Sequence, residues 1–160
     1  MIISNSTPLI AFARIGQLSL LQKLVEALVI PSAVAREISE YTGECQGVID
    51  LQKETWIEVR SVHSEQPVEL LLPTLGQGEA EVVALALELG AQLVLIDELT
   101  GRKVAESLGL NVSGSVGILI RAKQLQEITA VKPFLDDMVR QGIYYSQRFI
   151  DSVLRAVGEI

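Results

Sequence analysis

The stretch LGQGEAEVVALALELGAQLVLIDELTGRKVAESL, residues 75–108, reads as helix, strand, helix with an acidic residue at each junction. Gly76 and Gly78 break the preceding chain, and Glu79 opens a run whose apolar positions Ala80, Val83, Ala84 and Leu87 recur at helical spacing. Gly90 ends that helix. Leu93 to Ile96 is a continuous apolar run of strand length without polar alternation, the pattern of a parallel strand buried on both faces. Asp97 is its first polar residue, and Thr100 offers an N-cap hydroxyl to a second helix running to Gly109, a C-cap glycine. In an open parallel sheet, functional groups gather beyond the carboxyl ends of the strands, where helix N-termini also present unpaired N–H groups. Asp97 and Glu79 stand at those two kinds of position.

Outward from this unit the same alternation continues. Met1 to Ser4 reads as a short strand ending at Asn5, and Ser6-Thr7-Pro8 as a helix start. Short helices are expected over Leu9 to Ile15 and Leu18 to Leu24, a buried strand over Ala27 to Ile30, and a helix from Pro31-Ser32 through Ser39 that carries Glu37. Tyr41 to Lys53 is mixed, loop and helix. Trp56 to Val62 alternates in the manner of a half-exposed edge strand, and Val68 to Leu72 is a short apolar turn. Beyond the central unit come a brief strand at Leu110 to Val112, a turn at Ser113-Gly114-Ser115, and helices over Val116 to Gln124 and from Pro133 through Gln141. Ile143 to Tyr145 is extended, and Ser146 caps a last helix to Val157. Such alternation means an α/β sandwich with a mainly parallel sheet.

The 160 residues predict a single domain over 1–160, long enough to bury about 68 to 70% of the surface the unfolded chain exposes. No apolar stretch reaches the roughly 18 residues of a membrane span, and the lone Cys45 fits a reducing compartment, so a cytoplasmic protein is expected. Residues 1–100 hold 5 Lys or Arg and 14 Asp or Glu, whereas residues 101–160 hold 8 and 6, which divides the net charge of −7 into −9 and +2. Arg102, Lys103, Arg121, Lys123, Lys132 and Arg140 therefore offer a basic rim for a polyanion in an otherwise acidic protein. Aromatic residues, at 4%, are too few for a stacking surface for single-stranded nucleic acid.

Several chemistries are excluded. Gly76-Gln77-Gly78 lacks the third glycine of a dinucleotide fingerprint, and no phosphate-cradling Gly/Lys loop is present. His63, the only histidine, lies in a polar loop and excludes a zinc site with two imidazoles. Oxygen chemistry remains: Asn5 ends one strand, Asp97 another, Glu79 begins a helix, and Glu37 lies on the helix after a third strand. Hard cations such as Mg²⁺ or Mn²⁺ take carboxylate, amide and water oxygens, and activate water for phosphodiester cleavage. Read singly, each acid has a plainer role as a helix-dipole partner or solvated residue.

The opening ISNSTPLIAFARIGQLSLLQKL, the segment VIPSAVAREI and the order GEAE, LA, LVLID, GR, LGL resemble the PIN (PilT N-terminal) domain, most closely the branch of bacterial proteins akin to VapC-type toxin ribonucleases. The resemblance spans nearly the whole chain. It implies a three-layer α/β/α sandwich and a Mg²⁺- or Mn²⁺-dependent endoribonuclease whose metal-binding positions fall on Asn5, Glu37, Glu79 and Asp97, with Thr7 at the family's conserved hydroxyl position. It also implies an RNA substrate, a small antitoxin partner and a homodimer or higher homo-oligomer. Most active members carry aspartate where Asn5 stands; an amide oxygen still coordinates a hard cation but brings no charge. A catalytically weakened PIN-fold interaction module is therefore the alternative, and a phosphoacceptor role for Asp97 a third reading. Glu98 and Glu81, neighbours of site acids, are expected to point away, Glu98 because successive residues at a strand end face opposite ways.

Overall fold

The short apolar runs of the sequence become the centre of a five-stranded sheet. Its strands are β1 (Ile2–Ser4), β2 (Leu28–Pro31), β3 (Ile57–Arg60), β4 (Leu93–Leu95) and β5 (Val112–Ser113), in the order β3-β2-β1-β4-β5 with every pair parallel. The computed structural model describes residues 1–41 and 47–160; Cys45 and part of the mixed Tyr41 to Lys53 stretch lie outside the described residues. Nine helices flank the sheet among the described residues, giving an α/β/α sandwich: α1 (Ser6–Arg14), α2 (Leu18–Val25), α3 (Ser32–Glu40), α4 (Gln66–Leu71), α5 (Gln77–Leu89), α6 (Leu99–Ser107), α7 (Ser115–Gln124), α8 (Lys132–Arg140) and α9 (Gln147–Ala156).

The chain steps from β1 outward to β2 and β3, then returns to the other side of β1 to lay down β4 and β5. Between β1 and β4 the direction of winding therefore reverses, and connections leave the two strands on divergent paths. A crevice opens beyond their carboxyl ends at such a point. Ser4 pairs with Leu95, and the Asn5 amide donates to the Leu95 carbonyl at 2.9 Å, so Asn5 and Asp97 leave the sheet side by side.

Helix α5 packs against α3, α4 and strands β1, β2 and β4. It is therefore buried almost all round, through Ala80, Val82, Val83, Ala84, Leu85 and Ala86. Leu87, read from the spacing as part of the inward stripe, is instead 46% exposed. Its start also differs: Gly76 is the N-cap and Gly78 sits inside the first turn, because glycine at a non-left-handed φ continues a helix as well as it breaks one. Gly90, with φ 64°, does end it. Helix α6 is capped at Glu98 and not at Thr100; an acid there offsets the positive helix end without a side-chain hydrogen bond. The apolar turn at Val68 to Leu72 is part of α4, which Pro67 opens by fixing φ in its first turn. β3 lies at the sheet edge with Ile57 buried and Glu58 exposed, as its alternation predicts, but Val59, which the alternation turns inward, is 47% exposed.

Two carboxylates tie helices together by accepting from amides at helix starts. Glu81, 8% exposed, accepts from Ala33 N at 3.1 Å and from Gln77 Nε2 at 2.7 Å, joining α5 to the first turn of α3. Glu159 accepts from Val131 N at 2.8 Å, Lys132 N at 2.9 Å and Lys123 Nζ at 3.0 Å, fastening the tail to the start of α8. Burial alone would raise its pKa, yet these donors hold it below the usual carboxylate range. The Ser146 hydroxyl accepts from Phe149 N at 3.1 Å, the cap expected for α9.

Candidate metal centre

Glu37, Glu79 and Glu98 line the crevice beside β1, Glu79 neighbouring each of the other two. Glu37 is on the second turn of α3, placed there by the Pro31 to Ser32 helix start, and its Oε2 accepts from Ser6 Oγ at 2.5 Å. Ser6 is the first residue of α1, directly after Asn5, so this bond sets Glu37 beside the end of β1. Glu79 comes from the first turn of α5 and lies against the first turn of α6, where a Cβ on Gly101 would overlap its Oε2. Glu98, the N-cap of α6, faces Glu79. It does not point away as the strand-end rule predicts, because the chain has already left β4 at Leu95 and turned into α6. Glu81 does point away, into its bond with α3.

The electrostatics follow from this crowding. Burial, then the Glu98 carboxylate, and to a lesser degree Glu37, push the Glu79 carboxyl up to about 7, against the pull of the Gly76 amide. Two carboxylates face to face form a hydrogen bond only if one holds a proton; a bound cation meets the same need. Glu79 Oε2 is buried and accepts from no donor among the described residues, and neither does Asn5 Oδ1, in a residue 6% exposed. Buried oxygens without partners require an explanation, and an ion is one.

Both oxygens of Asp97 are engaged. Its Oδ1 accepts from Ser115 N at 2.6 Å and its Oδ2 from Ser115 Oγ at 2.5 Å, so it caps α7, a helix 18 residues further on and not the one that follows it. Arg102 Nη1 donates to the Ile96 carbonyl at 3.2 Å and shares with Asp97 the space over Gly114. Tyr145 approaches from the segment before α9; burial and the Asp97 charge raise its phenol pKa, so it remains a proton-bearing donor. Thr7 is exposed in the first turn of α1, and Ser6 occupies the contact with Glu37.

The donor set is amide and carboxylate oxygen, which fits a hard divalent cation and not zinc or copper. No three acid, histidine or cysteine side chains among the described residues converge on one point. Mg²⁺ sites commonly use only one or two carboxylates, with waters and substrate phosphates completing the octahedron. Glu37, Glu79 and Asn5 Oδ1 are the oxygens whose chemistry would suit such an ion, and Glu98 is the added charge beside Glu79.

The basic rim is smaller than the sequence suggests. Lys123 is bound to Glu159 and the Val157 carbonyl, Lys132 pairs with Asp136, Arg140 with Asp137, and Arg121 reaches Gln124. Arg102 and Lys103 remain beside the site on α6. His63 is an exposed loop residue whose backbone amide, not its ring, is engaged, by Glu88. Ser6, Ser115 and Tyr145 escape a reading of the sequence as site groups, and Glu98 is visible in it only as a neighbour of Asp97 expected to point away; the hydroxyl at the helix start after Asn5 carried a signal, but it pointed to the neighbouring Thr7.

No helix among the described residues is long and apolar enough to cross a membrane. A family model described as a PIN domain matches residues 1–159. No curated protein matches the chain.

Proposed function

The chain belongs to the PIN-domain family, whose function is in general terms that of a nuclease acting on RNA with divalent metal, and on that premise we propose that it is a Mg²⁺- or Mn²⁺-dependent endoribonuclease of the VapC-like kind. The observation that carries the reading is the pair of partnerless buried oxygens, Asn5 Oδ1 and Glu79 Oε2, beside Glu37 and Glu98 at the reversal point of the sheet. A bound divalent ion supplies an activated water and charge neutralisation for the phosphodiester. Glu79 and Glu37 hold the ion, and Ser6 fixes the Glu37 carboxylate through its hydroxyl. Asn5 contributes a neutral oxygen, which weakens ion binding relative to an aspartate at the same place. Asp97, clamped by Ser115, orients the start of α7 and holds negative charge at the rim, with the Tyr145 phenol beside it. Thr7, exposed at the start of α1, is in reach of solvent-borne substrate. Arg102 and Lys103 attract the RNA backbone, a term that weakens with salt.

An antitoxin that fills the crevice and a homo-oligomeric assembly accompany this reading. The weakened interaction module is the second reading, favoured by the asparagine at position 5 and by the engagement of both Asp97 oxygens.

Mn²⁺ calorimetry on wild type, Asn5→Asp and Glu79→Gln, with RNA cleavage on the same samples, separates the two. The nuclease reading expects wild type to bind, Glu79→Gln to lose binding and cleavage, and Asn5→Asp to bind more tightly and cut faster. Absence of Mn²⁺ binding at millimolar concentration in wild type and in Asn5→Asp leaves the interaction module.

A further inference from the structure

Glycine stands at three buried positions where the backbone has no need of it. Gly78, Gly101 and Gly114 lack the positive φ of Gly16, Gly90 and Gly109, so a residue with a side chain adopts the same backbone without strain. Gly78 and Gly101 moreover lie within the first turns of α5 and α6, where glycine is the least favourable residue after proline. Space is what excludes a side chain. A Cβ on Gly78 would overlap Glu37 Oε1, and one on Gly101 would overlap Glu79 Oε2. At Gly114 a Cβ would lie 2.6 Å from Asp97 Oδ1 and 2.7 Å from Arg102 Nη1. Gly76, one residue before α5, has nothing within 4 Å of the same position.

A single arrangement repeats through the three. Glu37 from α3 lies on the opening of α5, Glu79 from α5 on the opening of α6, and Asp97 from the end of β4 on the opening of α7. Each carboxylate rests on the bare Cα of a glycine at a helix start, where N–H groups favour negative charge. Among these groups Glu79 Oε2, and next to the end of β4 Asn5 Oδ1, are buried without a partner among the described residues, as groups awaiting a ligand would be.

We propose that Gly78 and Gly101 are positioning residues of the metal centre, and that Gly114 does the same for Asp97 at its rim: each leaves a side-chain-sized space at a helix start into which one carboxylate is laid, and their replacement moves that carboxylate without unfolding the chain. The inference rests on the metal-centre reading, and its test has an arm that does not use metal. The nearest obstructing atom in each case is a carboxylate oxygen at the end of a side chain, so an alanine is accommodated chiefly by displacing the carboxylate; at Gly101 the buried Ile96 Cγ2, 3.0 Å from the same point, must also shift slightly.

The test is a double-mutant cycle of Gly101→Ala and Glu79→Ala followed by melting temperature in chelator, with Mn²⁺ titration of wild type and Gly101→Ala. The expected result is that Gly101→Ala is more favourable to the melting temperature in the Glu79→Ala background than in wild type, since there the nearest obstruction to the alanine methyl is gone and its helix preference is opposed only by Ile96 Cγ2. Gly101→Ala should also lose about tenfold to a hundredfold in Mn²⁺ affinity, as for other groups that orient a metal ligand, while still melting cooperatively. Equal melting shifts in the two backgrounds, or unchanged Mn²⁺ affinity, would overturn the proposal. If wild type binds no Mn²⁺, the metal-centre reading fails by itself, and the melting cycle still decides whether the glycine seats the carboxylate.

Discussion

Glu79 is the residue whose environment departs furthest from what its place in the sequence suggests. An acid in the first turn of a helix usually has its charged form favoured; here burial and the facing Glu98 push it the other way, to about 7. The folded state thus binds this proton more tightly than the unfolded chain does. Its stabilisation of the metal-free protein is complete below the ordinary value of 4.5 and is lost as pH rises from there through about 7. Wild type should accordingly lose melting temperature relative to Glu79→Gln across that interval in chelator, and parallel curves would refute the assignment. With Mn²⁺ the sign reverses, because the ion competes with the proton. Affinity should fall as pH drops through about 7, with proton release on binding visible as a dependence of the calorimetric heat on buffer. Glu98→Gln removes one of the repelling charges, so it should stabilise the metal-free protein above neutral pH while weakening Mn²⁺ binding. A Glu98→Gln protein that behaves as wild type in both respects would show that Glu98 faces solvent.

At the scale of elements, the sandwich is joined by carboxylates that reach from one helix to the start of another. Glu81 serves α3 in this way through Ala33 N, a buried contact. Glu81→Ala should destabilise the protein by about 1 to 3 kcal/mol, the cost of a buried amide left without its acceptor. Denaturant melting measures it, and Mn²⁺ affinity should be unchanged, since Glu81 points away from the crevice. Ser115→Ala removes the hydroxyl on Asp97 Oδ2 and keeps the amide on Oδ1. The expected loss is about 0.5 to 2 kcal/mol, up to that of a whole cap, and a larger effect on RNA cleavage than on Mn²⁺ affinity would separate Asp97 from the groups that hold the ion. The helix over 77–89 was legible in its apolar content and its terminal Gly90, but its inward face was not. A helix enclosed by α3, α4 and the sheet has no polar face for periodicity to detect.

For the whole molecule, ligand linkage gives the broadest test. A site that binds only in the folded state adds RT ln(1 + [L]/Kd), about 2.7 kcal/mol at a hundred times Kd. Mn²⁺ should therefore raise the melting temperature of wild type and leave that of Glu79→Gln unmoved. RNA association should weaken with salt along a shallow slope. Five of the six basic residues that the sequence offered as a rim are engaged with neighbours, and of these only Arg102, bound to the Ile96 carbonyl, lies with Lys103 beside the crevice. A slope as steep as that of six phosphate contacts would mean that the ion pairs of α8 open to bind RNA.

The sequence by itself determined the layered α/β architecture, because buried parallel strands and the helices between them write their periods and caps into consecutive residues. It also put Asn5, Glu37, Glu79 and Asp97 at the ends of elements where site residues of such sheets collect. What only the tertiary structure decided is which of these groups touch. Strand order brought β1 and β4 together in register across the 90 residues that separate Ser4 from Leu95, and with them Asn5 beside the end of β4. Asp97 was drawn to Ser115 and Glu98 turned toward Glu79. Those choices depend on distances between helix starts that are remote in sequence, and no local pattern of residues encodes such distances.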